Sequence, residues 1–243
     1  MSIKDNLEKI EERIEKACIR SGRKREEVTL IGVTKFLSVE TVEEGRKAGL
    51  RFFGESRVQE AVLKYGDLNF KKKYPDTELH FIGPLQRNKV KAAVTLFDCI
   101  QSLDRESLAE ELVKHAGGRT ALCSAASSAA PLPVLLEFRT GEDSKSGFTC
   151  LDGLFRTVEI VLGCPSLSVR GLMTVAPFTD EENVLRSAFR RMIKARQDLE
   201  KRFPDVSWSC LSMGMSNDFE IAIEEGSTMV RIGTAIFGEK GDV

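Results

Sequence analysis

Residues 28–35 have the sequence VTLIGVTK, an almost uninterrupted apolar run that is rich in β-branched side chains. Such a run is typical of a strand in a parallel sheet, where helices cover both faces. The residues before it carry apolar side chains three and four positions apart, at Ile3, Leu7, Ile10, Ile14 and Ala17. This spacing predicts an amphipathic helix over the first twenty residues, with Ser2 as its N-cap.

Short apolar runs then alternate with helical patterns along the rest of the chain. Together with residues 28–35 they make eight candidate strands, the others being residues 52–54, 79–83, 98–103, 134–138, 169–175, 207–213 and 229–237. Eight strand–helix repeats of roughly 26 to 30 residues suit an α/β fold of the (β/α)8 TIM barrel type. We predict one domain over residues 1–243, with a helix and turn at 1–25 and the barrel at 28–238. An open doubly wound sheet is the alternative, although no strand precedes the GxGxxG fingerprint of its dinucleotide-binding form.

Two further segments carry local signals. Thr179 and Glu182 have the spacing of a capping box, which predicts the start of a long helix that ends near Pro204. Residues 117–133 are rich in small side chains and predict a loop between the fourth helix and the fifth strand.

The charge balance argues against nucleic acid as a partner. Lys and Arg number 36 and Asp and Glu 37, so the formal net charge is −1. The run Lys71-Lys72-Lys73 is then best explained as a solvated helix end. No apolar stretch reaches the roughly 20 residues that a membrane helix needs, and the N-terminus lacks a signal-peptide core, so a cytoplasmic protein is expected.

The cysteines do not form a recognisable ligand set. Six of them are scattered along the chain, at positions 18, 99, 123, 150, 164 and 210, and only two histidines accompany them. Without a CxxC pair, the pattern predicts neither a disulfide framework nor a zinc site. We expect reduced, mostly buried thiols and no bound metal.

Lys35 is the most unusual residue at the end of a predicted strand. Ligands of a barrel bind at the carboxyl ends of its strands, and Lys35 ends a strand that is otherwise apolar. A lysine at a dry rim can lose its proton and attack a carbonyl carbon to form a Schiff base. A lysine that simply extends into solvent is the alternative explanation.

The segments after strands seven and eight have the composition of a phosphate site. Ser212-Met213-Gly214-Met215-Ser216 follows strand seven, and Ser216 or Asn217 could cap a helix that runs to Glu225. Gly233-Thr234 follows strand eight with the same ingredients. A capped helix start offers backbone N–H groups to an anion, although ordinary capping turns look the same. A phosphate site across the mouth from Lys35 suits pyridoxal phosphate.

Arg231 and three weaker candidates complete the predicted site. Arg231 lies within strand eight and could face a pyridine nitrogen, where a fixed cation opposes ring protonation; a structural ion pair is the alternative. Ser56, His80 and Met173 lie in or near strands two, three and six. For His80 a hydrogen bond in the core is the more ordinary role. We find neither a Ser/His/Asp order nor a pair of catalytic carboxylates.

Several segments, in order, resemble the pyridoxal phosphate homeostasis proteins, which are similar to the N-terminal domain of alanine racemase. The resemblance covers nearly the whole chain. The matching segments are VTK at 33–35, FFGES with VQE at 52–60, HFIGPLQRNK at 80–89, SLDR at 102–105, SKSG at 144–147, GLMT at 171–174 and LSMGMSNDFEIAIEEGSTMVRIGTAIFG at 211–238.

The resemblance implies a single barrel that binds pyridoxal 5′-phosphate as an internal aldimine on Lys35. It implies that Ser212 and the Gly233-Thr234 turn hold the phosphate and that Arg231 lies near the ring nitrogen. The predicted cofactor-binding residues are Lys35, Ser56, His80, Met173, Ser212, Met213, Gly214, Arg231, Gly233 and Thr234. Two segments depart from the family: Ser56 stands where asparagine is usual, and residues 137–142 differ where glutamine and asparagine are common.

The implied role is cofactor homeostasis without an established catalytic reaction. Expected partners are pyridoxal 5′-phosphate and the apo-enzymes that use it, and the expected state is a monomer or weak dimer. One alternative is a true pyridoxal-phosphate enzyme, such as an amino-acid racemase or decarboxylase. Another is an aldolase in which Lys35 forms a Schiff base directly with a sugar phosphate.

Overall fold

The eight strands form a closed barrel in chain order. The structure, a computed structural model, describes residues 2–66, 69–117, 130–141 and 146–238. Strand β8 pairs in parallel with both β7 and β1, which closes the sheet, confirms the predicted (β/α)8 fold and excludes the open sheet. The strands are β1 Thr29–Val33, β2 Phe52–Glu55, β3 Glu78–Phe81, β4 Cys99–Leu103, β5 Leu132–Glu137, β6 Leu167–Met173, β7 Cys210–Ser212 and β8 Met229–Ile232.

Helices cover the outside of the barrel. The N-terminal helix α1 begins as predicted, since the Ser2 hydroxyl accepts the Asp5 N–H at 3.1 Å. It packs on α9 and α10, where Arg13 pairs with Glu220. The helices are α1 Ile3–Arg20, α2 Val39–Lys47, α3 Val58–Tyr65, α4 Asn69–Lys73, α5 Val90–Leu96, α6 Glu106–Ala116, α7 Leu151–Leu162, α8 Glu182–Arg202, α9 Phe219–Glu224 and α10 Thr234–Phe237.

Two apolar regions hold the barrel together. Because successive side chains of a strand point to opposite faces, half of them pack under the helices and half fill the barrel. The main core lies between strands and helices and includes Phe53, Phe81 and Phe189. A separate small cluster of Cys99, Leu135 and Met173 lies within the barrel. Several interior positions near the mouth are polar, among them Gln101, Ser212 and Arg231, and they belong to the site described below.

Three predicted boundaries are wrong. Strand β8 ends at Ile232 and is followed by helix α10, because a short apolar run does not distinguish strand from helix. Strand β7 spans only Cys210–Ser212, so residues 207–209 are not in the strand. Helix α8 begins at Glu182 without a capping box: the Thr179 hydroxyl accepts the Glu181 N–H at 3.1 Å in a local turn before the helix.

Lys71 is not solvated as predicted. Its side chain is 7% exposed, and its ammonium donates to Asp98 Oδ2 at 2.6 Å, because α4 packs against the loop before β4. Some predictions concern parts of the chain outside the described residues. These are residues 118–129 of the predicted loop, which include Cys123, and residues 144–145 of the SKSG segment.

The described helices are each too short or too polar to cross a lipid bilayer. The five cysteines in the described ranges are free thiols, of which Cys18, Cys99 and Cys164 are buried. Within the same ranges, no group of three His, Cys, Asp or Glu side chains is placed to hold a metal ion.

Candidate functional site

Lys35 lies in a tight turn directly after β1. The Leu37 N–H donates to the Thr34 carbonyl oxygen at 3.1 Å, which places Lys35 and Phe36 at the two central positions of the turn. Phe36 has a φ of 65°, the left-handed conformation that a type II turn requires at this position. The Lys35 side chain is exposed and lines a cavity at the mouth of the barrel.

The cavity lies at the carboxyl ends of the strands, where barrels bind their ligands. It has a volume of about 380 Å³ and is bounded by the segments after β1, β6, β7 and β8. The lining combines apolar side chains with an amine, a guanidinium, a carboxylate and hydroxyls. The lining residues are Val33, Lys35, Ala176, Pro177, Phe178, Thr179, Leu185, Met215, Ser216, Asn217, Asp218, Arg231, Gly233 and Thr234.

Arg231 is the buried cation of this cavity, with 4% of its surface exposed. Its Nη1 donates to Ser212 Oγ and its Nη2 donates to the Thr174 carbonyl oxygen, both at 2.7 Å. Burial lowers the pKa of the guanidinium to about 10, and the carboxylates of Asp218 and Glu137 oppose this shift. A group with a pKa of about 10 is charged at neutral pH, so the cavity contains a fixed positive charge.

Ser212 connects Arg231 to a chain of hydrogen bonds inside the barrel. Its hydroxyl donates to Gln101 Oε1 at 2.6 Å, and Gln101 Nε2 lies 2.8 Å from His80 Nδ1. Because an amide nitrogen only donates, Nδ1 accepts and the proton of a neutral His80 ring is on Nε2. That nitrogen lies 3.5 Å from the Glu78 carboxylate. The chain of hydrogen bonds thus runs from Arg231 in the cavity down the barrel to His80.

Buried carboxyl groups lie near Arg231. Glu137 at the end of β5 is 4% exposed and accepts the Ser146 hydroxyl at 2.5 Å. Burial raises the pKa of Glu137 above its ordinary value; the Asp104 charge raises it further, whereas Arg231 lowers it. Burial likewise raises the pKa of Asp218, against the opposing effects of the Met215 N–H and Arg231. These groups compensate part of the Arg231 charge.

The loops after β7 and β8 both reach the cavity, as predicted for a phosphate site. The Gly233-Thr234 turn joins β8 to α10, and the first N–H groups of a helix have no acceptor within the helix. The N-cap of α9 is Asp218, so the prediction that Ser216 or Asn217 caps this helix is wrong. The Asp218 carboxylate turns back and accepts the Met215 N–H, which closes the loop.

The structure brings four of the predicted site residues to one cavity: Lys35, Arg231, Gly233 and Thr234. Ser212 lies beneath it, bonded to Arg231, and the Gly214 carbonyl accepts the Arg231 N–H at 3.0 Å. The Met213 side chain packs in the main core outside the barrel.

The other three predicted residues do not line the cavity. His80 lies in the barrel at the end of the Ser212–Gln101 chain, and Met173 packs with Cys99 and Leu135. Ser56 is half-buried after β2.

Sequence reasoning missed two groups of residues. Gln101 was not predicted, although a glutamine within the short apolar strand CIQSL is itself a signal. On α3, Glu60 and Lys64 hold the Lys35 turn: Lys64 Nζ donates to the Thr34 carbonyl oxygen at 2.7 Å, and Glu60 accepts the Phe36 N–H. Their i, i+4 spacing predicts an ion pair on a helix face, but not its target.

Comparison with known proteins identifies relatives over the whole length. A family model described as alanine racemase, N-terminal domain, matches residues 3–241. A pyridoxal phosphate homeostasis protein of Aquifex aeolicus is 39% identical over 240 residues, which cover 99% of each chain. A protein of the same name from Escherichia coli is 38% identical over 240 residues, covering 98% of this chain and 97% of the relative.

Solved structures also match nearly the whole chain. PipY of Synechococcus elongatus, solved with PLP bound, is 30% identical with a TM-score of 0.79, covering 98% of this chain and 100% of that chain. Alanine racemase of Bacillus anthracis is 15% identical with a TM-score of 0.67, and the match covers 98% of this chain but 57% of the racemase. At that identity the racemase supports the fold alone.

Proposed function

The chain belongs to the family of pyridoxal phosphate homeostasis proteins, and we propose that it binds pyridoxal 5′-phosphate on Lys35 and holds this cofactor for the cell. The observation that carries the proposal is a single cavity lined by Lys35, Arg231 and the Gly233-Thr234 turn. An amine, a cation and an anion-binding turn are the groups that this cofactor needs. The likeness to PipY, solved with PLP bound, supports the same choice.

The residues present fit the cofactor in size and chemistry. The volume of about 380 Å³ falls within the range of roughly 300–1,000 Å³ that is typical of ligand pockets. Val33, Ala176 and Leu185 supply apolar surface for an aromatic ring. Lys35 supplies a primary amine and Arg231 a buried positive charge.

The chain's own residues then have distinct roles. When bound, the cofactor supplies an aldehyde to which a primary amine adds, with loss of water and formation of a C=N bond. Lys35 provides the amine from an exposed position on the cavity wall. Ser216 and the Gly233-Thr234 turn offer donors to the phosphate. Arg231 disfavours a second positive charge beside it, so a pyridine nitrogen placed there stays unprotonated.

Ser212, Met213 and Gly214 act at a distance in this proposal. Ser212 acts through Arg231, because its hydroxyl is already engaged by Arg231 and Gln101. Met213 and Gly214 act through the backbone of the loop that borders the cavity. Ser56, His80 and Met173 stay predictions as cofactor contacts, and a structure of the complex would test them.

We propose a carrier rather than an enzyme. The names of the relatives include no catalytic activity. A pyridine nitrogen held beside Arg231 would stay unprotonated and the ring would then be a weak electron sink, which would suit storage of the cofactor better than chemistry that needs a strong one. The same proposal includes a cytoplasmic location, apo-enzymes as recipients of the cofactor, one domain over residues 1–243, and a monomer or weak dimer.

Borohydride reduction of the protein mixed with pyridoxal 5′-phosphate tests the site and the cofactor together. Reduction fixes the amine to the cofactor, and trypsin then no longer cleaves after Lys35. We expect the modified peptide to span residues 26–46, from Glu26 to Arg46. Lys35→Arg should abolish this peptide, whereas Lys47→Arg, at an exposed position on α2, should leave it intact.

Other outcomes would favour the alternatives. A peptide modified only by sugar phosphates would indicate an aldolase. Turnover of an amino acid by wild type, absent in Lys35→Arg, would indicate a true enzyme of this cofactor. Modification spread over surface lysines with no preference for Lys35 would overturn the proposed site.

A further inference from the structure

The turn that carries Lys35 has an unfavourable backbone conformation. Phe36, the next residue, has a φ of 65°, and among the described residues it is the one non-glycine with a positive φ. A Cβ atom in the left-handed region clashes with the neighbouring backbone, so bulky residues rarely adopt it. Such a conformation persists only where the surroundings enforce it.

Two side chains of α3 hold both ends of this turn. The Glu60 carboxylate accepts the Phe36 N–H, and the Lys64 ammonium donates to the Thr34 carbonyl oxygen at 2.7 Å. Glu60 and Lys64 also pair with each other at 2.7 Å. The backbone on either side of Lys35 is therefore bonded to one ion pair on a neighbouring helix.

The ion pair is itself fixed by a buried cluster. Lys64, whose side chain is 8% exposed, directs its three N–H groups to Thr34 O, Glu60 Oε1 and Glu55 Oε1, the last at 3.0 Å. Glu55 is fully buried and also accepts the hydroxyls of Thr34 and Tyr65, at 2.8 and 3.1 Å. With all three ammonium protons used, Lys64 has little freedom to move.

This cluster faces the helices, whereas the Lys35 side chain faces the cavity. Val33 and Lys35 both line the cavity, two positions apart, while the intervening Thr34 points to Glu55. A relaxed turn at Phe36 would rotate the peptide that follows Lys35 and change the direction of its side chain. The cluster of Glu55, Glu60, Lys64 and Tyr65 therefore controls the direction of the Lys35 side chain, on which the position of its amine in the cavity depends.

We infer that Glu60 and Lys64 are positioning residues, which hold the Lys35 turn in its left-handed form so that the amine lines the cavity. The inference rests on the proposed function, since it is Lys35 that bonds the cofactor there. The competing explanation is that the cluster only anchors α3 to the barrel. In that case the loss of Glu60 would lower stability but would leave the reactivity of Lys35 in the folded protein unchanged.

Glycine at position 36 separates these explanations, because glycine adopts a positive φ without a clamp. We expect Glu60→Ala to slow adduct formation with pyridoxal 5′-phosphate on Lys35 about ten- to a hundredfold, the range for a misplaced reactive group. The double variant Phe36→Gly/Glu60→Ala should recover most of this loss. Glu60→Gln, which keeps an acceptor oxygen, should lie closer to wild type, and Gln59→Ala, at an exposed position of α3, should match it.

Amide exchange gives a second readout that needs no cofactor. In the protein without added ligand, the Phe36 N–H should exchange faster in Glu60→Ala than in wild type or Gln59→Ala, because its acceptor is gone. Unfolding by urea shows whether each variant is folded under the conditions of the assay.

The outcomes keep the two proposals apart. If wild type forms no adduct on Lys35, the proposed function fails. If wild type forms the adduct and Glu60→Ala forms it at the same rate, the positioning role is overturned and the proposed function stands. A slow Glu60→Ala that glycine at position 36 does not rescue would also overturn the positioning role, because the backbone conformation would not be the cause.

Discussion

Arg231 on β8 donates to the hydroxyl oxygen of Ser212 on β7 at 2.7 Å, and both side chains are buried. The same hydroxyl donates its proton to Gln101 Oε1 at 2.6 Å. Ser212 thus accepts a hydrogen bond from the buried guanidinium and donates one to a side chain inside the barrel. The placement of Arg231 in the cavity depends on a serine that does not itself line the cavity.

Ser212→Ala should therefore destabilise the protein and weaken cofactor binding together. The substitution leaves an N–H of the buried guanidinium without its acceptor, which costs about 1–3 kcal/mol of the free energy of unfolding. Urea unfolding measures this loss, and titration with pyridoxal 5′-phosphate measures the binding. Ser209→Ala, at an exposed position just before β7, is the control and should change neither quantity. Normal binding by Ser212→Ala would mean that Arg231 does not need this contact.

Gln101 and Ser212 should be energetically coupled. Gln101→Leu removes the acceptor of the Ser212 hydroxyl and the donor to His80, whereas Ser212→Ala removes the other side of the first contact. Because both variants break the same hydrogen bond, the double variant should lose less stability than the sum, by about 0.5–3 kcal/mol. A double-mutant cycle from urea unfolding provides the number. Simple additivity would show that the two side chains act independently.

The barrel and the residues at its mouth were predictable because they follow from local patterns. Apolar runs such as residues 28–35 predict buried parallel strands, and the end of each strand predicts which residues share the mouth. This reasoning predicts that Lys35, Arg231, Gly233 and Thr234 share one site, and all four line the same cavity. It failed at strand eight, where the run MVRIGTAIF contains both a strand and a helix and its apolar character does not separate them.

The contacts beneath the mouth were not predictable, because they depend on closure of the barrel. Gln101 meets Ser212 across 111 positions of sequence. Glu55 ends strand β2, but only the structure shows that it faces α3 and the back of the Lys35 turn. A pattern with a period of two gives the alternation of faces, and it does not say which face is the interior.

Gly214 should be required for both stability and the shape of the cavity. It has a φ of 99°, and a Cβ atom added there would lie 2.7 Å from Ala222 Cβ and 2.9 Å from Phe219 Cα. Gly214→Ala must displace the loop that follows it, whose residues 215–218 line the cavity. We expect a loss of about 1–3 kcal/mol in the free energy of unfolding, with weaker cofactor binding in the protein that remains folded.

Gly226→Ala is the matched control for this prediction. Gly226 has a nearly equal φ of 102°, but its added Cβ would meet only the flexible end of Ile193, at 3.3 Å. It should lose stability from the backbone conformation and keep its affinity for pyridoxal 5′-phosphate. Equal affinities for the Gly214 and Gly226 variants would contradict a role of this loop in the cavity.

Glu137→Gln should stabilise the protein at neutral pH and not in acid. Burial raises the pKa of Glu137 above its ordinary value of 4.5 in the folded state, so its carboxylate form opposes folding. With a raised folded pKa, the wild type has its full stability below pH 4.5 and loses part of it as the pH rises through that pKa. Glutamine stays neutral and can still accept the Ser146 hydroxyl. The variant should therefore be more stable by about 1 kcal/mol near neutral pH, with the difference vanishing in acid.

Urea unfolding of wild type and Glu137→Gln from acid to neutral pH measures the effect, with Glu110→Gln on the exposed face of α6 as the control. A difference that is independent of pH would mean that folding does not shift the pKa of Glu137, and one that grows in acid would mean that Arg231 stabilises the Glu137 carboxylate more than burial disfavours it.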